Sequence, residues 1–294
     1  MPRGKWGLLY AGLLFANACW AIGIVGTKIA LRSMPAAAFA EGRALGAALL
    51  FFAFLLLSPG RRFPEHLKGN DWMALTGMAA SGISFSHIFY CAGMARTSVV
   101  HTGLITALGP AVVLVISCLL RMERLTALKA VGIMVSFGGA AVLAMSEDGT
   151  GKGAAFFGDL MLLASAAFTS VYAIWLKRSG HRFDLLTLNA GVFGFGALFL
   201  LPFGAPALLR VTWAAVPRLA WAGLLFVIVM GSVVSYLIYA RVMADLDPSQ
   251  VQVFMYFQPL MVAAMGVQWM GETLPTKALL SGIMIMLGVF LAAR

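Results

Sequence analysis

Apolar stretches of about 20 residues, the length that crosses the hydrocarbon core of a bilayer, recur from one end of this 294-residue chain to the other. Ten can be counted, at about 8–28, 37–57, 73–94, 99–120, 127–145, 156–176, 186–204, 217–240, 250–270 and 276–293, with only short polar intervals between them. Nothing is left over for a soluble domain. Composition agrees: 61% of the residues are hydrophobic and 11% charged, with a mean hydropathy of +0.92, whereas a soluble domain carries about a quarter charged residues. The expected class is an all-α integral membrane protein with ten transmembrane helices.

A net charge of +10 would point to nucleic acid in a soluble chain. Here its placement speaks of orientation, because Lys and Arg gather in short cytoplasmic loops. With the N-terminus placed in the cytoplasm, 13 basic residues fall inside (among them Arg61, Arg62, Arg121, Arg124, Lys177 and Arg178) and 7 fall outside or near it. Both termini are therefore expected to be cytoplasmic, and nucleic acid is not an expected partner. The start of the chain, Arg3 and Lys5 followed by "GLLYAGLLFANAC", imitates a secretory signal or a lipoprotein leader at Cys19. The apolar run continues to Val25, however, and residues 16–28 have a counterpart later in the chain, so this segment reads as a retained first span. Cys19, Cys91 and Cys118 all fall within spans and imply no disulfide framework.

The counterpart appears when the chain is shifted by 149 residues. Tyr90, Met94, Pro110 and Glu123 then lie on Tyr239, Met243, Pro259 and Glu272, with 20 residues from Tyr to Pro and 13 from Pro to Glu in both copies. Near the two beginnings the offset is 148, and Asn17 and Trp20 match Ser165 and Phe168. The chain reads as two five-helix units, residues 1–146 and 153–294. Five is odd, so the second copy must enter the membrane in the opposite sense. Inverted repeats of this kind build many secondary transporters, with the substrate site near the bilayer centre between them.

Pro110 and Pro259 stand near the middle of spans four and nine, where each removes a backbone hydrogen bond and kinks its helix. The carbonyls so freed, nominally those of Thr106 and Met255, are tolerable at mid-depth only against protein or a watery cavity. Thirteen residues of helix cover about 20 Å, which carries Glu123 and Glu272 to opposite membrane surfaces. These glutamates are expected at the interface near the start of the following helix, where negative charge is favoured.

Trp20, Lys28, Pro35 and Arg43 in the first two spans, the doubled Tyr–Pro–Glu framework, and Gly132, Gly139, Gly282 and Gly288 together resemble the drug/metabolite transporter superfamily, in particular the ten-helix family built from two EamA-type units. The resemblance covers nearly the whole chain and leans toward bacterial exporters of amino acids, aromatic ones included, which implies the bacterial cytoplasmic membrane. The second copy departs from the pattern: Phe168 replaces Trp20, and Leu188–Val192 offers no counterpart to Arg43.

Helical periodicity places Asn17, Trp20, Ile24 and Thr27 on one face of span one, and Ser165, Phe168, Tyr172 and Trp175 on the matching face of span six. Asn17, Trp20, Phe168 and Tyr172 fit the wall of a cavity that holds an apolar side chain and orients a polar headgroup. Thr27 and Trp175, nearer the helix ends, fit the interfacial belt. Span three brings His87, with Ser84 and Cys91 on one face and Ser86 and Tyr90 on another. A histidine at mid-membrane is costly unless paired or wet, and His87 matches Tyr236 in the second copy as Tyr90 matches Tyr239. Thr106 and Tyr256, with Thr102 and Gln258 behind them, complete the candidate substrate-binding residues. Arg43, just after Glu41, reads either as an ion pair with that glutamate or a snorkelling stem, or as an attractor of a substrate carboxylate. Gly132, Ser136 and Ala140, and Ala190 and Gly194, read as helix contact surfaces.

No Asp or Glu is placed at mid-depth in any span, which disfavours exchange of lipophilic cations for protons. The expected activity is export of a zwitterionic or neutral metabolite, foremost amino acids with large apolar or aromatic side chains, by alternating access; efflux of drugs or toxic compounds is the alternative. An integral-membrane enzyme using Ser84 or Ser86 with His87 lacks the carboxylate that would complete a triad. No His/Glu cluster has metal-ligand spacing, and no cofactor is expected.

Overall fold

The computed structural model describes residues 3–58, 68–144, 152–245 and 257–292; Tyr256 lies outside them. Every regular element among these residues is helical. In chain order they are α1 (Arg3–Ala30), α2 (Ala36–Leu57), α3 (Gly69–Ala79 and Ser86–Met94, joined by a π-helical Ala80–Phe85) and α4 (Val99–Thr106 and Gly109–Leu119). Then follow α5 (Ala127–Ala144), α6 (Lys152–Ser179), α7 (Leu185–Leu209), α8 (Arg218–Phe226 and Ser235–Asp245, joined by a π-helical Val227–Val234), α9 (Phe257–Met270) and α10 (Thr276–Ala292).

Seven stretches among the described residues are long and apolar enough to cross a membrane: those of α1, α2, α4, α5, α6, α7 and α8. The other three expected spans differ for separate reasons. α3 carries Ser81, Ser84, Ser86 and His87 through its central turns, the first residues of the 250–270 span lie outside the described set, and α10 is a shorter apolar helix. Large apolar side chains such as Leu49, Leu56, Leu198, Phe203 and Leu279 face outward, which suits a lipid surface and no aqueous one.

Where these helices touch is set by small residues and by interlocking aromatics. α2 packs along α7 in the antiparallel sense, Glu41 lying beside Gly204 at one end and Phe51 against Phe193 further along, with ring centroids 5.3 Å apart. α5 packs along α10, again antiparallel, with Gly132 beside Gly288 and Ala292, and Gly139 beside Ser281 and Ile285. α1 lies against α8 and α9, and its counterpart α6 lies against α3 and α4. The contact surfaces expected at Gly132, Ser136 and Gly194 are used as such; Gly194 abuts the Phe52 ring. Gly93 on α3 and Gly158 on α6 meet backbone to backbone, so that a Cβ on either would stand within 3 Å of the other's carbonyl oxygen.

Glu272 departs from expectation. It does not serve α10; it reaches across to α4 and accepts the backbone N–H groups of Val99 and Val100 at 2.7 and 2.8 Å, while Ser98 accepts that of His101 at 3.0 Å. Three otherwise orphaned donors of the α4 N-terminus are thereby satisfied, and the carboxylate sits at the positive end of the helix. Its counterpart Glu123 is exposed and pairs with Lys129 at 2.7 Å. Glu272→Ala should therefore lower unfolding stability by about 2 kcal/mol, against about 0.5 kcal/mol or less for Glu123→Ala, compared by thermal melts in detergent.

Candidate functional site

The two π-helical turns occupy equivalent places: 227–234 minus 149 is 78–85, which overlaps Ala80–Phe85. A π-turn adds a residue to a helical turn, leaves its backbone imperfectly paired and is frequent at functional sites. Both turns are used here. The Trp20 indole donates to the Gly231 carbonyl at 2.8 Å, and the Ser165 hydroxyl donates to the Ser86 carbonyl at 2.8 Å, so each first helix of a copy is tied to a π-containing helix.

Between these ties lies a cavity of about 230 Å³. α1 contributes Trp20, Gly23, Ile24 and Thr27 to its wall; α2 contributes Arg43; α3 contributes Ser86, His87 and Tyr90; and α4 contributes Thr106, Gly109, Pro110 and Val113. α6 lines it from Leu162 through Ser165, Thr169 and Ser170 to Tyr172 and Ala173, and α8 and α9 close it with Val227, Gly231, Tyr236, Tyr239 and Gln258. The break in α4 at Ala107 and Leu108, just before Pro110, turns Thr106 and Pro110 onto the wall. No Asp or Glu lines the cavity among the described residues.

Aromatic rings give the wall its shape. Tyr236 stands at the centre, with ring centroids 5.0 Å from Phe193, 6.1 Å from Tyr172 and 6.2 Å from Trp20; Trp20 also meets Tyr239 edge-on at 5.8 Å. Edge-to-face pairs at these distances add about 0.5–1.5 kcal/mol each beyond their buried area. The Tyr236 hydroxyl approaches His87 Nε2 at 3.5 Å, and His87 Nδ1 is buried with no hydrogen-bond partner. His87 and Tyr236 are equivalent residues in the two copies, so their meeting puts them where the copies face each other.

Of the candidate residues, Trp20, His87, Tyr90, Thr106, Tyr172, Tyr236, Tyr239 and Gln258 are brought together on this wall, with Pro110. Asn17, Phe168 and Thr102, whose hydroxyl donates to the Ser98 carbonyl at 2.8 Å, are not. Asn17 is fully buried and its amide nitrogen donates to the Leu13 carbonyl one turn back at 2.8 Å. Phe168 stacks on Phe85 and Phe89, with centroids at 5.1 and 5.7 Å. The lining residues of α6, Leu162, Ser165, Ala166, Thr169, Ser170, Tyr172 and Ala173, cover a broad arc, and at about 100° per residue Phe168 falls about 40° beyond its edge at Tyr172. Pro259 is buried in α9 away from the wall, and Tyr256 is outside the described residues.

Other expectations are corrected by geometry. Thr27, assigned to the interfacial belt, is 1% exposed and lines the cavity, whereas Trp175 packs against Gly77. Ser84 does not face His87: its hydroxyl donates to the Gly196 carbonyl on α7 at 3.0 Å, because the wide π turn takes it out of phase with the α-helical residues that follow. Ser86, His87 and Tyr90 share the wall instead. Arg43 does not pair with Glu41. Residues two apart on a helix point to opposite sides, so Glu41 lies against Gly204 with both carboxylate oxygens lacking a hydrogen-bond partner, while Arg43 turns inward and donates from Nε to the Ser232 hydroxyl at 2.9 Å. That spacing was the signal available for Arg43.

Just beyond the wall residues Thr27 and Leu162 the helices are cross-linked by a polar cluster. Asp159 on α6 accepts from the Thr97 hydroxyl at 2.8 Å and faces His101 Nδ1 at 3.0 Å. Lys28 at the end of α1 donates to the carbonyls of Met94 and Thr97 at 2.8 and 2.5 Å. All of Thr97, His101 and Asp159 are buried.

This architecture has relatives. The EamA-like transporter family model matches residues 5–145 and again 156–294. An uncharacterized transporter of Archaeoglobus fulgidus is 25% identical over 275 residues, covering 92% of each chain. A probable terminal-alkyne amino-acid exporter of Streptantibioticus cattleyicolor is 22% identical over 294 residues, covering 100% of this chain and 94% of its own. A solved structure bearing no functional description superposes with a TM-score of 0.63 at 17% identity, covering 99% of this chain and 96% of its own. With the family model matching twice along its length, this chain belongs to the EamA-like transporter family of the drug/metabolite superfamily.

Proposed function

We propose that the protein exports small metabolites, foremost amino acids with large apolar or aromatic side chains, by alternating access between two five-helix units threaded through the membrane in opposite senses. The observation that carries this reading is the aromatic cavity centred on the contact of equivalent residues His87 and Tyr236. Inverse threading is supported by the antiparallel packing of the equivalent helices α2 with α7 and α5 with α10, since an axis in the membrane plane relates helices that run oppositely. The matched segments 5–145 and 156–294 support units at 1–146 and 153–294. Amino acids as the cargo are supported by the aromatic wall and by the name of the Streptantibioticus relative, a probable amino-acid exporter.

Under the positive-inside rule both termini lie in the cytoplasm of a bacterial inner membrane. The plug at Lys28, Thr97, His101 and Asp159 then closes the outer end, and the cavity is held ready to load from inside. Counterflow of labelled phenylalanine or methionine in proteoliposomes tests the proposal. Trp20→Ala removes the indole bond to Gly231 and two ring contacts, and should cut uptake by about tenfold. Flux of lipophilic cations with none of a broad amino-acid panel would transfer the protein to toxic-compound efflux.

A further inference from the structure

Arg43 is a guanidinium 8% exposed, in the wall of a cavity whose described lining contains no carboxylate. Its Nε is held by Ser232, itself fully buried on the π turn of α8, and no ion pair to it exists among the described residues. Burying a cation costs several kcal/mol unless a partner offsets it, and a charge kept inside a membrane bundle faces a pathway. The guanidinium is planar and presents a fork that matches a carboxylate in two parallel hydrogen bonds. With Nε fixed on Ser232, the terminal amino groups remain for such a ligand.

The rest of the wall is as informative for what it lacks. Trp20, Tyr172, Tyr236 and Tyr239 offer rings and hydroxyls, and nothing among the described lining residues offers the negative charge that an ammonium group would seek. We infer that Arg43 anchors the carboxylate of an apolar or aromatic monocarboxylate, and that an α-ammonium group is dispensable: 2-hydroxy and 2-oxo acids with the same side chain occupy the site, and amines without a carboxylate do not. The inference rests on the transporter reading above and narrows its substrate class.

The test is competition against counterflow of labelled phenylalanine, with thermal shift of the purified protein as a transport-independent readout of binding. Phenyllactate and phenylpropionate should compete within about threefold of phenylalanine, whereas phenylethylamine and phenylalanine amide should be weaker by tenfold or more. Arg43→Gln should lose tenfold or more in affinity for the carboxylates, and Arg43→Lys, which keeps the charge but not the fork, should lose less. Ser232→Ala leaves the cation in place and guards against a folding defect; it should shift the same affinities by about threefold. Phenylethylamine competing as well as phenylalanine would overturn the inference and leave the exporter reading standing. A phenyllactate shift without phenylalanine counterflow would support Arg43 as the anchor and remove amino acids as cargo. Neither counterflow nor a shift by phenyllactate would sink both.

Discussion

Gly288→Val should leave the protein largely unfolded or aggregated in detergent, with a loss of more than about 3 kcal/mol. A Cβ at Gly288 would collide with the backbone nitrogen and Cα of Ser136 and the carbonyl oxygen of Gly132, all main-chain atoms that cannot rotate away. Relief requires α5 and α10 to separate along their whole contact. In lipid no hydrophobic drive returns them, because association there rests on close van der Waals packing of small residues. Gly138→Ala on the facing helix α5 is the control: its Cβ would meet only a methionine methyl at 3.8 Å, and removing a mid-helix glycine stabilises by about 0.5–1 kcal/mol. None of α5 or α10 lines the cavity, so the effect belongs to the fold and leaves the cavity wall intact. Equal melting temperatures for the two variants would refute the backbone contact.

Asp159→Ala should open the plugged end of the cavity. The carboxylate is the shared acceptor for Thr97 and His101, and through the Thr97 carbonyl it steadies Lys28. Removing one partner from a buried charged cluster costs about 3–5 kcal/mol when the remainder stays buried. Helix motion that wets the cluster is the available relief, so the closed arrangement loses weight relative to one open at that end. A single cysteine placed by Thr27→Cys, with Cys19, Cys91 and Cys118 replaced, reports the change. Its labelling by an impermeant thiol reagent from the side of residues 95–98 should accelerate about tenfold or more in Asp159→Ala, corresponding to about 1.4 kcal/mol of shifted equilibrium. Asp159→Asn, which still accepts from Thr97, should fall between. An unchanged labelling rate would refute the polar cluster as what closes this end.

Much of the site was legible because a helix repeats. Trp20, His87, Tyr90, Tyr172, Tyr236 and Tyr239 could be chosen from periodicity and the 149-residue offset, and Pro110 marked where α4 would break. Phe168 failed because it falls just outside the arc of α6 that Ser165 and Tyr172 still reach, and it stacks on Phe85 and Phe89 instead. Ser84 failed because a π turn changes the phase of everything before it relative to everything after it, and no residue pattern announced the turn. Arg43 and Glu41 were read as neighbours in sequence when their spacing sends them to opposite sides of α2, one to Ser232 and the other to Gly204.

The apolar lengths, the doubled Tyr–Pro–Glu spacing and the scarcity of charge determined a helical membrane protein of two related halves, because the bilayer accepts few ways of satisfying a backbone and those ways have fixed lengths. Tertiary structure alone decided which polar groups meet. Glu272 capping α4, Asp159 joining Thr97 to His101, and Arg43 bonding Ser232 all link residues far apart in the chain. Such contacts depend on how helices rotate and slide against one another, which the small residues between them govern and local periodicity does not encode.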